Sequence, residues 1–268
     1  MKIRALLMIP MLLFVSALLR AETPQQQKAL LQKADFEQRL DSPLPLDARF
    51  VDERGRSVAL RDYFGARPVI LVPIYFRCPQ LCVETMNGLL RALRSISFDA
   101  GKQFQVVAFS FDPGDFASTA LEKKKRIVES YGRAADENGW TFLTGGEQSI
   151  RELTNSIGFH FAYDDELKQY AHSTGIVLAT PQGRVSHYFY GVEYSAKDLR
   201  LALIEASNGK IGSPVDRILL YCYSYDPMTG KYGLLVRRVV KLAGAATVLM
   251  LAFVIGWLLR QERKRCTA

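Results

Sequence analysis

Apolar and polar positions follow a strand-like pattern in several stretches of the central chain. Nearly unbroken apolar runs at residues 68–76 and 104–113 predict two strands that are buried on both faces. Residues 49–60 (RFVDERGRSVAL) alternate about a Glu-Arg-Gly turn and predict a β-hairpin. A short strand is predicted at TFLTG (141–145), and a second hairpin at 173–191 with its turn at Pro181-Gln182-Gly183.

Helical periodicity follows the first apolar run and returns three more times. A helix is predicted to begin near Pro79, because proline is favoured at the first helical position. Its apolar face is formed by Met86, Leu89, Leu90 and Leu93. Further helices are predicted at 116–131, 147–157 and 195–207. Strands that alternate with helices indicate an α/β fold in which helices flank a mixed sheet.

The two ends of the chain carry apolar segments of a different kind. Residues 1–21 have a charged start, an apolar run and a small residue, Ala21, which is the layout of a secretory signal. Residues 242–259 are uncharged and mostly apolar, and at ~1.5 Å per residue they extend roughly 27 Å, close to the hydrocarbon thickness of a bilayer. A buried core helix is the alternative, but the flanking Lys241 and Arg260 favour a transmembrane helix.

These segments divide the chain and predict its location. We expect a signal peptide (1–21), a lead-in segment (22–47), a folded domain (48–208), a linker (209–241), a transmembrane helix (242–260) and a cytoplasmic tail (261–268). Whether the leader is cleaved or kept as a first span, the domain lies outside the cytoplasm. The sequence therefore predicts anchoring in a bacterial inner membrane, with the domain facing the periplasm or cell exterior.

The net charge of +8 gives no support to nucleic-acid binding. Three positive charges lie in the leader and a net +3 lies in residues 260–268, which leaves +2 for the rest of the chain. The central part has no basic stripe interleaved with aromatic residues. The basic composition is therefore a signal of membrane topology.

Cys78 and Cys82 lie in CPQLC, between the first buried strand and the helix that follows it. With Cys78 at the helix cap and Cys82 one turn later, both sulfurs lie on one side of the helix start, where the helix dipole favours thiolate. The pair can form a disulfide or bind a soft metal. A disulfide that closes so small a loop stabilises little, and the carboxyl end of a strand is where α/β folds bind ligands, so a functional role is favoured.

Redox exchange and metal binding are both open to this pair, and His172 favours metal binding. Dithiol oxidoreductases of this architecture typically have a two-residue spacer and an X-Pro peptide that faces the cysteines. Here the spacer is three residues, and the strand predicted to face the pair (YAHSTGIVLA) offers His172 at its start and no proline. Two thiolates and an imidazole suit copper, whereas a structural zinc site usually has a fourth ligand. His160 and His187 are expected to be packed or half-exposed residues of strands.

From about Phe50 to Ser207 the chain resembles the Sco/SenC family of copper-binding assembly factors for cytochrome c oxidase. The resemblance is carried by residues 50–82, which end in CPQLC, by FSFDP at 109–113, and by YAHSTGIVLATPQGR at 170–184. It implies a thioredoxin-like fold in which Cys78 and Cys82 form a redox-active pair and bind copper together with His172. Asp112 falls on the family's Asp-Pro position and is a candidate accessory residue.

The resemblance implies a copper metallochaperone that delivers its metal to the copper-receiving subunit of cytochrome c oxidase. Because the compartment is oxidising, a thiol reductant partner must keep the cysteine pair reduced before metal can bind. The alternative is an enzyme, a thiol–disulfide oxidoreductase that acts on the cysteines of the oxidase subunit; a sensor acting through the membrane tail is a weaker third reading. Two departures stand out: family members are usually anchored at the N-terminus, and Cys222, a second accessory candidate, lies outside the common domain.

Overall fold

The structure is a computed structural model, and it divides into two units, Met1–Gly212 and Ser213–Ala268. In the first unit it describes residues 34–78, 80–133, 139–165 and 167–211. In the second unit it describes residues 225, 226, 231, 232, 244, 247, 250 and 251.

Strands and helices alternate along the described part of the first unit, in the predicted order apart from one additional pair of strands. The strands are β1 (Arg49–Val51), β2 (Ser57–Ala59), β3 (Val69–Ile74), β4 (Gln105–Ser110), β5 (Trp140–Leu143), β6 (Phe161–Asp164), β7 (Gln169–His172), β8 (Gly175–Ala179) and β9 (Val185–Tyr190). The helices are α1 (Leu81–Arg94), α2 (Ala117–Tyr131), α3 (Glu147–Ser156) and α4 (Ala196–Ser207), with a short 3-10 helix at Leu60–Tyr63.

A five-stranded mixed sheet forms the centre of this unit, in the order β5-β4-β3-β8-β9. β3, β4 and β5 are parallel, whereas β8 is antiparallel to both β3 and β9. Every residue of β3 and β8 is buried, as expected for strands covered on both faces. Pro73, which has no N–H, lies beyond Leu71, the last residue of β3 that pairs with β8, so that it has a partner strand on one side only. The α/β prediction is confirmed, and this mixed sheet flanked by helices fits a thioredoxin-like fold.

The apolar face predicted for α1 is the face that packs on the sheet. Met86, Leu89, Leu90 and Leu93 are all buried. The predicted hairpins are confirmed as the β1–β2 and β8–β9 pairs, and the three later helices begin and end within a few residues of the predicted bounds. The predicted strands 68–76 and 104–113 correspond to the shorter β3 and β4.

Two local predictions are wrong, and one hairpin was missed. Helix α1 begins at Leu81 with Gln80 as its N-cap, so Cys78 precedes the helix and is not its cap; Pro79 lies outside the described residues. The hairpin formed by β6 and β7 was not predicted. His172 is the last residue of β7 and does not begin the strand β8, which starts at Gly175.

In the second unit, β10 (Tyr225–Asp226) and β11 (Lys231–Tyr232) form an antiparallel pair. The predicted signal peptide 1–21 and Cys222 lie outside the described residues. Within the predicted transmembrane helix 242–260, the structure describes four positions, Gly244, Thr247, Met250 and Leu251, all helical. Over the described part of the chain, none of the helices has both the length and the apolar character needed to cross a bilayer.

Candidate metal centre

Cys78 and Cys82 are held close together by the loop that connects β3 to α1. The Cys78 amide donates to the carbonyl of Tyr75 (3.2 Å), which turns the chain immediately after β3. The Cys82 amide, in the first turn of α1, donates to Cys78 Sγ (3.4 Å), and the Tyr75 amide donates to Cys82 Sγ (3.4 Å). Both cysteines are buried and both are free thiols. The connection therefore points both sulfurs into the same small space.

His172 reaches the sulfurs from the β6–β7 hairpin. Its Nε2 lies 3.8 Å from Cys82 Sγ. Its Nδ1 lies 2.9 Å from the carbonyl oxygen of Ser173. Because a carbonyl can only accept a hydrogen bond, Nδ1 carries the proton and Nε2 presents its lone pair toward the cysteines. A backbone carbonyl bonded to the other ring nitrogen is a common way to orient a metal-binding histidine.

The three side chains form a group that could hold one metal ion. Cys78, Cys82 and His172 each offer a donor atom, and these atoms lie within 4.8 Å of one another. Donors at roughly 2.0–2.3 Å from one ion are separated by at most about 4.6 Å, so little movement is needed. Among the described residues, no other group of three or more His, Cys, Asp or Glu side chains meets the same geometric requirement. The structure thus brings together the three residues that the sequence singled out; their role as ligands remains a prediction.

The two thiols differ in their acidity. The hydrogen bond from Cys82 lowers the pKa of the Cys78 thiol well below its ordinary value of 9.0, and the amides of Cys82 and Gln80 act in the same direction, against burial. Burial raises the pKa of the Cys82 thiol, and the hydrogen bond and negative charge of Cys78 raise it further. Cys78 is therefore the more acidic thiol of the pair and the first to become a thiolate.

We expect alkylation of Cys78 by iodoacetamide to depend little on pH. Because the pKa of Cys78 lies well below 9.0, Cys78 is a thiolate across the range in which an ordinary thiol titrates. Between about pH 8 and about pH 6 its rate should fall less than about threefold, whereas an ordinary thiol slows about 100-fold. Peptide mapping by mass spectrometry gives the rate for each cysteine. A Cys78 rate that falls tenfold per pH unit contradicts this assignment.

Aromatic rings surround His172 and separate it from solvent on one side. The ring centroid of His172 lies 5.1 Å from that of Phe111, 5.9 Å from that of Tyr75 and 6.2 Å from that of Phe159. Burial raises the pKa of Tyr75, so its phenol stays neutral beside the thiolate. This packing fixes the orientation of the imidazole.

Asp112 does not belong to the group of three donors. Its Oδ1 accepts a hydrogen bond from the Tyr170 hydroxyl (3.2 Å), and its Oδ2 pairs with Arg77 (2.8 Å). Burial, together with Asp112, raises the pKa of Tyr170 to about 12. A cavity of about 490 Å³ opens beside these side chains, and it is lined by Tyr75, Arg77, Asp112, Tyr163, Tyr170 and residues 167–169.

Sequence reasoning missed several residues that shape this site. Tyr75, Arg77 and Tyr170 were not singled out, nor was Asp115, whose Oδ1 also pairs with Arg77 (3.0 Å). The available signal was a lone arginine between an apolar run and the first cysteine (IYFRC), together with a second aspartate three residues after Asp112. His160 and His187 lie next to Glu37 and Glu205, in partly buried positions of the kind expected for them.

Comparisons with known proteins place this geometry in context. The profile of the SCO1/SenC family matches residues 38–205. Two solved proteins of Aquifex aeolicus VF5, a proposed electron transfer protein and a proposed electron transport protein, are each 28% identical to the chain. The first covers 64% of this chain and 95% of its own length, with a TM-score of 0.56. The second covers 63% of this chain and 99% of its own length, with a TM-score of 0.53.

A third solved structure is more distant in sequence. Arabidopsis thaliana ScoI, solved with copper bound, is 18% identical over 63% of this chain and 99% of its own, with a TM-score of 0.50, which is a likeness of fold alone. The curated proteins give no match to the chain.

Proposed function

The chain belongs to the SCO1/SenC family, and from this membership we propose that it is a copper metallochaperone that supports assembly of the copper centre of cytochrome c oxidase. Cys78, Cys82 and His172 bind the copper ion, which is cargo for the copper-receiving subunit of the oxidase. The observation that carries the proposal is the convergence of two sulfurs and one imidazole nitrogen within 4.8 Å. Copper bound to Arabidopsis thaliana ScoI supports the choice of metal.

The donor set suits copper in its reduced state. Thiolates are soft ligands that favour Cu(I), and an imidazole completes a three-coordinate site. One thiolate is already present, because the pKa of Cys78 is lowered. Metal binding releases the proton of Cys82, because a thiol must lose its proton to become a ligand. No fourth side chain joins the group among the described residues, which leaves room for a partner's cysteines to take the ion.

The apolar segments near the two ends of the sequence support a proposal for the location of the protein. We propose that residues 1–21 direct export and that residues 242–260 anchor the chain in the membrane, with the domain in the periplasm or outside the cell. An oxidising compartment converts neighbouring thiols to a disulfide. A thiol reductant partner is therefore needed before each round of copper loading.

Copper analysis of the full chain in its two redox states tests the proposal. After reduction, we expect one copper per chain to survive gel filtration. After mild oxidation, we expect the copper content to fall below about a tenth of that value, because a disulfide removes two of the three donors. Equal copper content in the two states would show that the thiols are not the ligands. Zinc measured in the same samples tests the choice of metal.

The acidity of the thiols also favours a second candidate function. A thiolate beside a protonated thiol is the arrangement of an attacking and a resolving cysteine in thiol–disulfide exchange. The alternative is thus an oxidoreductase that reduces the cysteines of the oxidase subunit. His172 separates the two functions, because only copper binding requires the imidazole.

A further inference from the structure

Arg77, the residue before Cys78, connects two carboxylates of the loop between β4 and α2. Its Nη2 lies 2.8 Å from Asp112 Oδ2, and its Nε lies 3.0 Å from Asp115 Oδ1. The arginine side chain is 57% exposed, but those of Asp112 and Asp115 are only 12% and 0% exposed. The guanidinium therefore lies between the two carboxylates and the solvent.

Asp115 ties the segment that carries Cys78 to this loop. Its Oδ2 accepts hydrogen bonds from the Phe76 amide (2.7 Å) and from the Ser110 hydroxyl (2.6 Å), while Oδ1 pairs with Arg77. Two consecutive residues, Phe76 and Arg77, are thus fastened to one buried carboxylate. Because Cys78 comes next, the position of its sulfur depends on these contacts.

Asp112 ties the hairpin that carries His172 to the same loop. Its Oδ1 accepts hydrogen bonds from the Tyr170 hydroxyl (3.2 Å) and from the Gly114 amide (2.8 Å). Residues two apart on a strand share one face, so Tyr170 and His172 point to the same side of β7. Both rings pack against Tyr75, with centroids 5.4 Å and 5.9 Å away. A shift of Tyr170 therefore moves His172.

We propose that Arg77 is a positioning residue for both segments. It holds the Cys78 segment in place by pairing with Asp115, and it holds the strand of His172 in place by pairing with Asp112, which binds Tyr170. The inference rests on the proposed function, because it takes Cys78 and His172 as copper ligands. Their donor atoms come from segments ninety-four residues apart in the chain. Holding both segments to one loop before the ion arrives lowers the entropic cost of binding.

The role depends on the shape of the guanidinium as well as on its charge. Arginine offers several N–H donors in a planar fork and can bind two carboxylates at once, whereas the ammonium of lysine is a compact point charge. Arg77→Lys keeps the charge and removes the bridge. Arg151→Lys is the matched control, because Arg151 pairs with the exposed Glu147 on α3, away from the site.

The first experiment uses the full-length protein without metal. We expect Arg77→Lys to raise the iodoacetamide alkylation rate of Cys78 about tenfold, because the segment before it opens more often, and Arg151→Lys to leave it within about twofold. This measurement needs no copper. Failure of the protein to bind copper would therefore refute the proposed function and still leave the role of Arg77 toward Cys78 open to measurement.

The second experiment tests only the connection from Asp112 through Tyr170 to His172. Tyr170→Phe keeps the ring and removes only the hydroxyl that binds Asp112, and we expect it to lower the affinity for Cu(I) about tenfold. In a His172→Ala background the same change should have an effect of less than about twofold, because there is no imidazole left to position. Competition with a chromophoric Cu(I) chelator measures all four proteins.

Two results would overturn the proposal. One is a Cys78 alkylation rate in Arg77→Lys equal to that in Arg151→Lys. The other is a loss of affinity from Tyr170→Phe that is the same with and without His172, since that loss would reflect general damage to the fold. Thermal unfolding of each variant shows whether Arg77→Lys folds. Tyr170→Phe tests the connection from Asp112 to His172 in either case.

Discussion

Replacing His172 with alanine should lower the affinity for Cu(I) at least about 100-fold while thiol–disulfide exchange by Cys78 and Cys82 persists. Nε2 of His172 is the third donor, 3.8 Å from Cys82 Sγ, and no other side chain joins this group among the described residues. Changes to groups that only orient a metal ligand typically cost about 10–100-fold in affinity, so loss of the ligand itself should cost no less. The two sulfurs alone should retain copper weakly.

The same variant separates the two candidate functions. Copper affinity is measured by competition with a Cu(I) chelator, and exchange is measured by reaction with a small disulfide. A chaperone loses copper retention and oxidase assembly together, whereas an oxidoreductase keeps its exchange activity and supports assembly. His160→Ala is the control, since His160 is half-exposed beside Glu37 and takes no part in the site. Normal oxidase assembly by His172→Ala would refute the chaperone function.

The sheet, the flanking helices and the two cysteines could be predicted because each depends on local pattern. The apolar runs at β3 and β4 and the helical spacing in α1 are visible in the sequence, and the strand–helix junction places CPQLC at the carboxyl end of β3. His172 was singled out because it was placed at the start of the strand predicted to face the cysteines and because its segment resembles the family pattern. Its true position was missed because β6 and β7 lie outside the central sheet and are only half-buried, so they lack a continuous apolar run.

Contacts between distant polar residues could not be predicted in the same way. Arg77 and Asp115 lie thirty-eight positions apart and meet only because β3 and β4 are adjacent parallel strands. Glu53 lies in the Glu-Arg-Gly turn of the first hairpin, where the sequence indicates an exposed residue. In the folded protein it is buried against Lys124 of α2, seventy-one positions away. Such pairs depend on tertiary packing, and neither partner carries a local signal of the other.

Glu53→Ala should therefore destabilise the fold by about 3–5 kcal/mol, the range for a buried ion pair that loses one partner. The Lys124 ammonium lies 2.6 Å from Glu53 Oε1, and the side chains are only 9% and 6% exposed. Glu53 Oε2 also accepts a hydrogen bond from the Phe142 amide of β5 (3.2 Å). Alanine leaves a buried ammonium and a buried N–H without their acceptor. Urea denaturation followed by circular dichroism measures the free energy of unfolding.

Two further variants show whether the loss comes from the uncompensated charge. Replacing both partners, Glu53→Leu with Lys124→Met, should recover more than half of the loss, since an apolar pair of similar size often substitutes for a buried ion pair. Glu122→Ala, which removes an exposed i,i+4 partner of Arg126 on the same helix, should cost less than about 1 kcal/mol. If Glu53→Ala costs no more than Glu122→Ala, water reaches Lys124 in solution and the pair does not hold the first hairpin against α2.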